Sequence, residues 1–497
     1  MNLDQQDIKS LQHFMQKGVL KAFELCEYYL DRIEKYDRQT VKLNSIIELN
    51  PDALKQAEIL DQERLKKNPR SKLHGIPILL KDNIDTADRM ATSAGSLALK
   101  DSFPENDAYL VKKLRNAGAV ILGKTNLSEW ANFRSTQTIS GWSSRGGQTC
   151  NPYDPLRNPS GSSSGSAVAV AAGFCAAAIG TETDGSILGP ASTNGVVGLK
   201  PNVGRISRRG LIPISHSQDT PGTFTRNVAD AAILLEVLSG RDKKDPFTLN
   251  APEDNPNYSS LNNADCLNGW TIGVVRNLYH GDPRVENLLD DAIKILKELG
   301  AKIKDYIHLE NTMSLKIPER EVLLHEFKHG LNLYLSNQHK NLDRQTPRSL
   351  EELIAFNENH NNFVMPFFGQ DLFEKAINKG DLRSEVYLDS LRDCRRLSRK
   401  QGIDAILEKH ELNLFIANTA GPAWFTDQVL GDPVCIESSY TPSAVAGYPG
   451  ISIPLGFLSN LPVGISFHGG AWSEKTLLHC ANIFGKKIQA RIPPDLN

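Results

Sequence analysis

Residues 159–190 read PSGSSSGSAVAVAAGFCAAAIGTETDGSILGP. The stretch opens on a glycine- and serine-rich loop and continues as a small-residue helix from about Gly165 to Gly173. It then forms a strand at Ala176–Ile179 and ends in a second glycine-rich loop, Gly180–Gly189. The same alternation extends outward. Ile76–Leu80 is a short apolar run that reads as a buried strand and ends in Lys81-Asp82-Asn83. A helix is expected over Asp107–Gly118, a strand over Val120–Leu122 and a turn from Gly123 to Asn126. Strand-like runs return at Leu414–Ala417, Ile451–Leu455 and Val463–Phe467. Alternating strands and helices predict an α/β fold, with a large mixed, mostly parallel sheet flanked by helices on both faces.

The expected organisation is one domain over residues 1–497. Its core covers about 65–240, and 411–490 returns to the sheet. Residues 241–410 read as a variable, largely helical insertion. Within it Val285, Leu288, Leu289, Ala292, Ile293, Leu296 and Leu299 form an apolar stripe, with Gly300 placed to cap it.

Composition narrows the function by exclusion. Of the 497 residues, 40% are hydrophobic and 23% charged, as in ordinary globular chains. A net charge of −2 carries no basic excess for nucleic acid or an anionic membrane. No run approaches the ~18 apolar residues of a membrane span. Seven cysteines, an odd number without a C-x-x-C pair, speak against a disulfide framework or a zinc knuckle. The opening MNLDQQDIKSLQHF lacks an apolar signal core, so cytoplasm is the default expectation, with export of a trimmed chain as the alternative. A monomer or homodimer acting on a small-molecule or peptide substrate is expected, with neither nucleic acid nor membrane as partner.

Two isolated motifs invite other readings. Gly161-Ser162-Ser163-Ser164-Gly165 matches the G-x-S-x-G nucleophile elbow, but that motif needs a strand directly before it, and Asn151–Pro159 contains three prolines. His325-Glu326-Phe327-Lys328-His329 spells H-E-x-x-H, the helical zinc-hydrolase pattern, without an identifiable third ligand downstream. Taken singly, a Gly-Ser loop is a turn and a lysine ending a strand is a solvated charge.

Taken together, the segments HGIPILLKDNID (74–85), PSGSSSGSAVAVAAG (159–173) and GTETDGSILGPASTNGVVGLKP (180–201) carry more. They resemble the amidase signature family in content, order and spacing. GKTNLSEWAN (123–132), NPYDP (151–155) and YPGISIPLGF with LPVGISF (448–467) extend the likeness. The resemblance implies an amide hydrolase without metal or cofactor. It casts Ser186 as nucleophile, Ser162 as bridging serine on a cis peptide bond, and Lys81 as base. Thr183, Asp184, Gly185 and Ser186 take the oxyanion-hole position. Asn132 and Asp184 are candidate substrate contacts. The departures are Ser164 and Asp184, each commonly glycine in the family, and Leu188, commonly arginine. The GSSSGSAVAVAA and GTETDGSI variants resemble peptide amidases, which deamidate C-terminal peptide amides. Aryl or fatty acyl amides, carbamates, and the glutaminase component of a tRNA-dependent amidotransferase are the alternatives within the family. A noncatalytic relative would have lost a triad member.

The chemistry explains the residue types. A serine hydroxyl is a weak nucleophile until a base takes its proton. An exposed lysine, at about 10.4, stays protonated, whereas burial lowers a lysine by up to ~3–5 units. The apolar run 76–80 delivers Lys81 to the interior where that shift operates.

Overall fold

The computed structural model describes residues 2–252, 257–260, 265–279, 281–337, 346–433 and 438–496. Thirteen strands occur among them: β1 (Ile46–Leu49), β2 (Pro77–Lys81), β3 (Val120–Thr125), β4 (Trp142–Ser143), β5 (Gly147–Gln148), β6 (Ala177–Glu182), β7 (Val197–Lys200), β8 (Thr220–Thr225), β9 (Thr271–Val275), β10 (Lys302–Ile307), β11 (Leu414–Asn418), β12 (Gly450–Leu458) and β13 (Leu461–His468). Eleven of them form one sheet in the order β1-β3-β2-β6-β8-β7-β12-β13-β11-β9-β10, while β4 and β5 make a small hairpin within the 141–166 loop.

The expected large mixed sheet with helices around it is present, but four of its pairings are parallel and six antiparallel, so it is not mostly parallel as expected. Parallel pairing falls in two groups, β3-β2-β6 and β11-β9-β10. Antiparallel pairs join the groups through β8, β7, β12 and β13, and β1 adds antiparallel to one edge. The middle of the sheet is therefore antiparallel.

Two expectations on extent are corrected. Strand β3 runs through Gly123-Lys124-Thr125, which reads as a turn in sequence, because Glu48 and Leu49 of β1 pair with those residues. Strands β9 and β10 lie inside 241–410 yet belong to the main sheet, and β1 precedes residue 65. The helical part is narrower, beginning at the helix Lys316–Asn337 and running to the helix Asp404–Lys409. Thr271-Ile272-Gly273-Val274-Val275 is short and glycine-bearing, and it lies beside polar residues that mask it as a strand.

The parallel pair β2-β6 positions the site. All five residues of β2 and all six of β6 are buried, as suits strands covered on both faces. Their register matches Leu80 to Ile179, which sets Lys81 beside Gly180 at the carboxyl edge, with Thr181 next along β6. The helix Ser164–Ala171 leads back into β6, so the residues before that helix lie over the same edge. In open α/β sheets this edge is where ligands bind.

Candidate active site

Lys81, at the end of β2, is fully buried, and its Nζ donates to Ser162 Oγ at 2.7 Å. Ser163 Oγ at 3.0 Å, Thr181 Oγ1 at 3.0 Å and the Thr181 carbonyl at 3.3 Å surround the same nitrogen. Burial pulls the lysine down from its ordinary range to about 7, partly opposed by the carboxylates of Asp219 and Glu182. In the neutral amine the two hydrogens serve Ser163 and Thr181, and the 2.7 Å contact reverses, the lone pair accepting from the Ser162 hydroxyl.

Ser162 is itself fully buried and follows a cis Gly161–Ser162 peptide bond. Its carbonyl accepts from the Ser128 N–H at 3.1 Å. Gly161 is required by crowding: a Cβ there would lie 2.3 Å from Ser128 Oγ and 2.9 Å from Ser140 Oγ. Ser186 sits on the turn between β6 and the helix Leu188–Thr193 and, at 7% exposed, is the member of the trio that reaches solvent. Its carbonyl accepts from the Ser163 N–H at 3.3 Å. Among the described residues no hydrogen bond joins the Ser162 and Ser186 hydroxyls.

The turn carrying Ser186 is held from below. One oxygen of the buried Glu182 carboxylate accepts from the N–H groups of Ile187 at 2.7 Å and Leu188 at 3.0 Å. Gly185 takes φ +75°, and a Cβ would meet the Tyr440 ring at 2.3 Å. Only glycine satisfies both demands. The N–H groups of Asp184 and Ser186 enter no hydrogen bond among the described residues, which leaves two donors free at the turn. Asp184 Oδ2 accepts from Thr441 Oγ1 at 2.9 Å, while its Oδ1 is buried without a partner. Burial, reinforced by the neighbouring Glu319 carboxyl, holds Asp184 well above the usual carboxylate range.

Asn132 lies in a turn that sequence reading leaves undefined. Trp130, Ala131 and Asn132 take φ values of 52°, 54° and 71°, three successive non-glycine residues in the left-handed region. Such conformations cost roughly 1–2 kcal/mol each and persist only where packing over-determines them. The clamp is Arg134, fully buried, whose Nη1 lies 2.6 Å from Glu129 Oε1 and 2.6 Å from the Val364 carbonyl. Its guanidinium stacks 4.2 Å from the Phe368 ring centroid. Asn132 Nδ2 then donates to Ser140 Oγ at 2.9 Å and its Oδ1 is left buried without a partner. Arg134→Leu strands the Glu129 carboxylate in the interior and is expected to cost about 3–5 kcal/mol. Urea unfolding checks this, and a loss under about 1 kcal/mol would remove the clamp from the account.

The H-E-x-x-H segment is otherwise engaged. The His325 ring lies 2.9 Å from its own helix carbonyl at Glu321 and 3.3 Å from Ser384 Oγ. Glu326 accepts from Ser217 and Tyr387, and His329 lines an open cavity of about 850 Å³. Among the described residues no group of three or more His, Cys, Asp or Glu side chains is placed to hold a metal ion. No described helix is long and apolar enough to cross a membrane.

The structure therefore gathers Lys81, Ser162, Ser186 and the 183–186 turn at one sheet edge. It adds Ser163, Thr181, Glu182, Asp219 and Tyr440, which sequence reasoning did not single out. A glutamate preceding the glycine-rich turn in GTETDGS was the available signal for Glu182. Tyr440 and Asp219 had none, because they arrive from distant segments.

The site thus sets a buried lysine beside two serines, facing a turn with free N–H donors. The chain belongs to the amidase signature family: the amidase profile matches residues 24–478. Its members cleave C–N bonds, and this chain is an amidase. A probable amidase of Arabidopsis thaliana is 41% identical over 96% of this chain and 88% of its own length. A putative amidase of Schizosaccharomyces pombe is 36% identical over 99% of this chain and 87% of its own length. The crystal structure of the peptide amidase of Stenotrophomonas maltophilia superposes with a TM-score of 0.94 at 47% identity over 99% of both chains.

Proposed function

We propose that this amidase works through an acyl-enzyme on Ser186, and that its substrate is the C-terminal carboxamide of a peptide, released as the acid and ammonia. The observation that carries the mechanism is the fully buried Lys81 amine, 2.7 Å from Ser162 Oγ and brought to about 7 by burial. Ser186 Oγ attacks the amide carbonyl carbon as its proton passes to Ser162 and that of Ser162 passes to Lys81. The tetrahedral oxyanion is met by the unpaired N–H groups of the 183–186 turn, each donor worth about 2.7–4 kcal/mol in comparable sites. Collapse breaks the C–N bond, and Ser162 returns a proton to the leaving nitrogen. Water then hydrolyses the acyl ester by the same relay. The relay needs Ser186 to turn toward Ser162 as substrate seats, a tightening common between free and loaded sites.

Peptide carboxamide specificity is supported by the likeness to peptide amidases, one of them solved with the competitive inhibitor chymostatin at 47% identity. The unpartnered oxygens of Asn132 and Asp184 suit substrate N–H groups. The test is ammonia release from an N-protected dipeptide amide, glutamine, an anilide and a long-chain fatty amide, measured side by side. The dipeptide amide is expected to be turned over at least about tenfold faster than the rest, a discrimination worth about 1.4 kcal/mol. Preference for the fatty amide or anilide would keep the mechanism and reject the substrate.

A further inference from the structure

The loop Ile214–Asp219 precedes β8 and belongs to none of the segments that define the site in sequence. It is tightly held. Asp219 Oδ2 accepts from the N–H groups of Ile214 and Ser215, both at 2.9 Å. Glu326, buried on the helix Lys316–Asn337, accepts from Ser215 Oγ at 2.5 Å and from Ser217 N–H and Oγ, both at 3.0 Å. Tyr387 OH completes that carboxylate at 2.7 Å. The glutamate of the H-E-x-x-H segment is thus the anchor of a loop. The other oxygen of Asp219 accepts from Thr183 Oγ1 at 2.6 Å, at the head of the turn that carries Ser186. Next to Asp219 in the chain, Gln218 Nε2 spans the Thr183 carbonyl at 3.3 Å and Glu319 Oε1 at 2.9 Å.

We propose that Asp219 is a positioning residue for Ser186: through Thr183 it fixes the nucleophile turn, and it sets the charge that Lys81 faces. This rests on the reading of Ser186 and Lys81 given above. Lys81 is faced by Asp219 and Glu182, with neutral Ser162, Ser163 and Thr181 as its remaining polar neighbours. Asp219 is faced by Arg208, which is itself paired with Asp245 at 2.5 Å. Glu182 is committed to the turn N–H groups and faces Lys200. Asp219, whose carboxyl burial raises to about 6, is thus above that pH a carboxylate facing Lys81 that also touches the nucleophile turn through a side chain.

The two roles separate by substitution. In Asp219→Asn the amide oxygen still serves the Ile214 and Ser215 N–H groups. Its NH2 faces the Thr183 hydroxyl, which accepts as well as donates. Geometry is kept and the charge is removed. In Thr183→Val the charge is kept and the link removed.

The experiment reads the rate of covalent labelling of Ser186 by a fluorophosphonate across pH, a readout independent of which amide is natural. Asp219→Asn is expected to move the acid limb down by about one pH unit, because the carboxylate favours protonated Lys81. Thr183→Val is expected to leave the limb in place and lower the plateau about tenfold. Circular dichroism confirms that each variant is folded. An Asp219→Asn limb that superimposes on the wild type, or a Thr183→Val plateau equal to it, overturns the proposal. Labelling of Ser186→Ala at the wild-type rate overturns the underlying Ser186 reading instead, which keeps the two failures apart.

Discussion

Ser186→Ala is expected to lower kcat on the best amide of the panel by at least about 10⁴-fold, with KM nearly unchanged. The substitution deletes one oxygen at a position 7% exposed, on a turn whose backbone is held by Glu182 rather than by the serine hydroxyl. Folding and substrate binding are therefore retained while bond formation is lost. What survives is the contribution of the turn N–H groups and of binding, which in serine hydrolases stripped of their nucleophile leaves about 10³–10⁴ over water. Steady-state ammonia release and single-turnover trapping of the acyl-enzyme check both parts. Retention of more than about a tenth of the rate would mean that another group attacks.

Lys81→Met is expected to follow closely, with a loss of about 10³-fold or more. Methionine fills much of the volume of the lysine stem but leaves Ser162, Ser163 and Thr181 without their shared partner. The pH profile carries the sharper prediction. A base must be unprotonated, and Lys81 is brought down to about 7 by burial. Raising the pH through 7 increases the neutral fraction, so kcat/KM climbs to a plateau above it. Lowering the pH through 7 protonates the amine, and activity falls about tenfold per unit. In Lys81→Met the residual rate loses that acid limb. A wild-type profile flat from pH 5 to 8 would remove Lys81 as the base.

Much of this was legible before any coordinates. Lys81, Ser162 and Ser186 lie in short segments of high local information: an apolar run ending in a lysine and two glycine-serine loops. Their convergence follows from the β2-β6 register. The partners that tune them were not legible, because each depends on long-range placement. Asp219 reaches Thr183 from a loop anchored by the helix at 316–337, and Tyr440 covers Gly185 from far down the chain. The left-handed turn at 130–132 was equally hidden, since Trp, Ala and Asn carry no local preference strong enough to announce it and the buried Arg134 imposes it. Strands β9 and β10 were missed because short strands beside polar connections leave little periodic signal.

The seat of Tyr440 and Thr441 on the turn bearing Ser186 has an implication for biosynthesis. A chain emerging from the ribosome delivers Lys81, Ser162 and Ser186 well before residue 440, and strand β12, which pairs with β7 beside them, later still. Until that last portion docks, Gly185 has no ring against it and Asp184 no hydroxyl. A nascent or prematurely stopped polypeptide thus holds Ser186 on an unfinished turn. The turn is completed only by residues made near the end of synthesis.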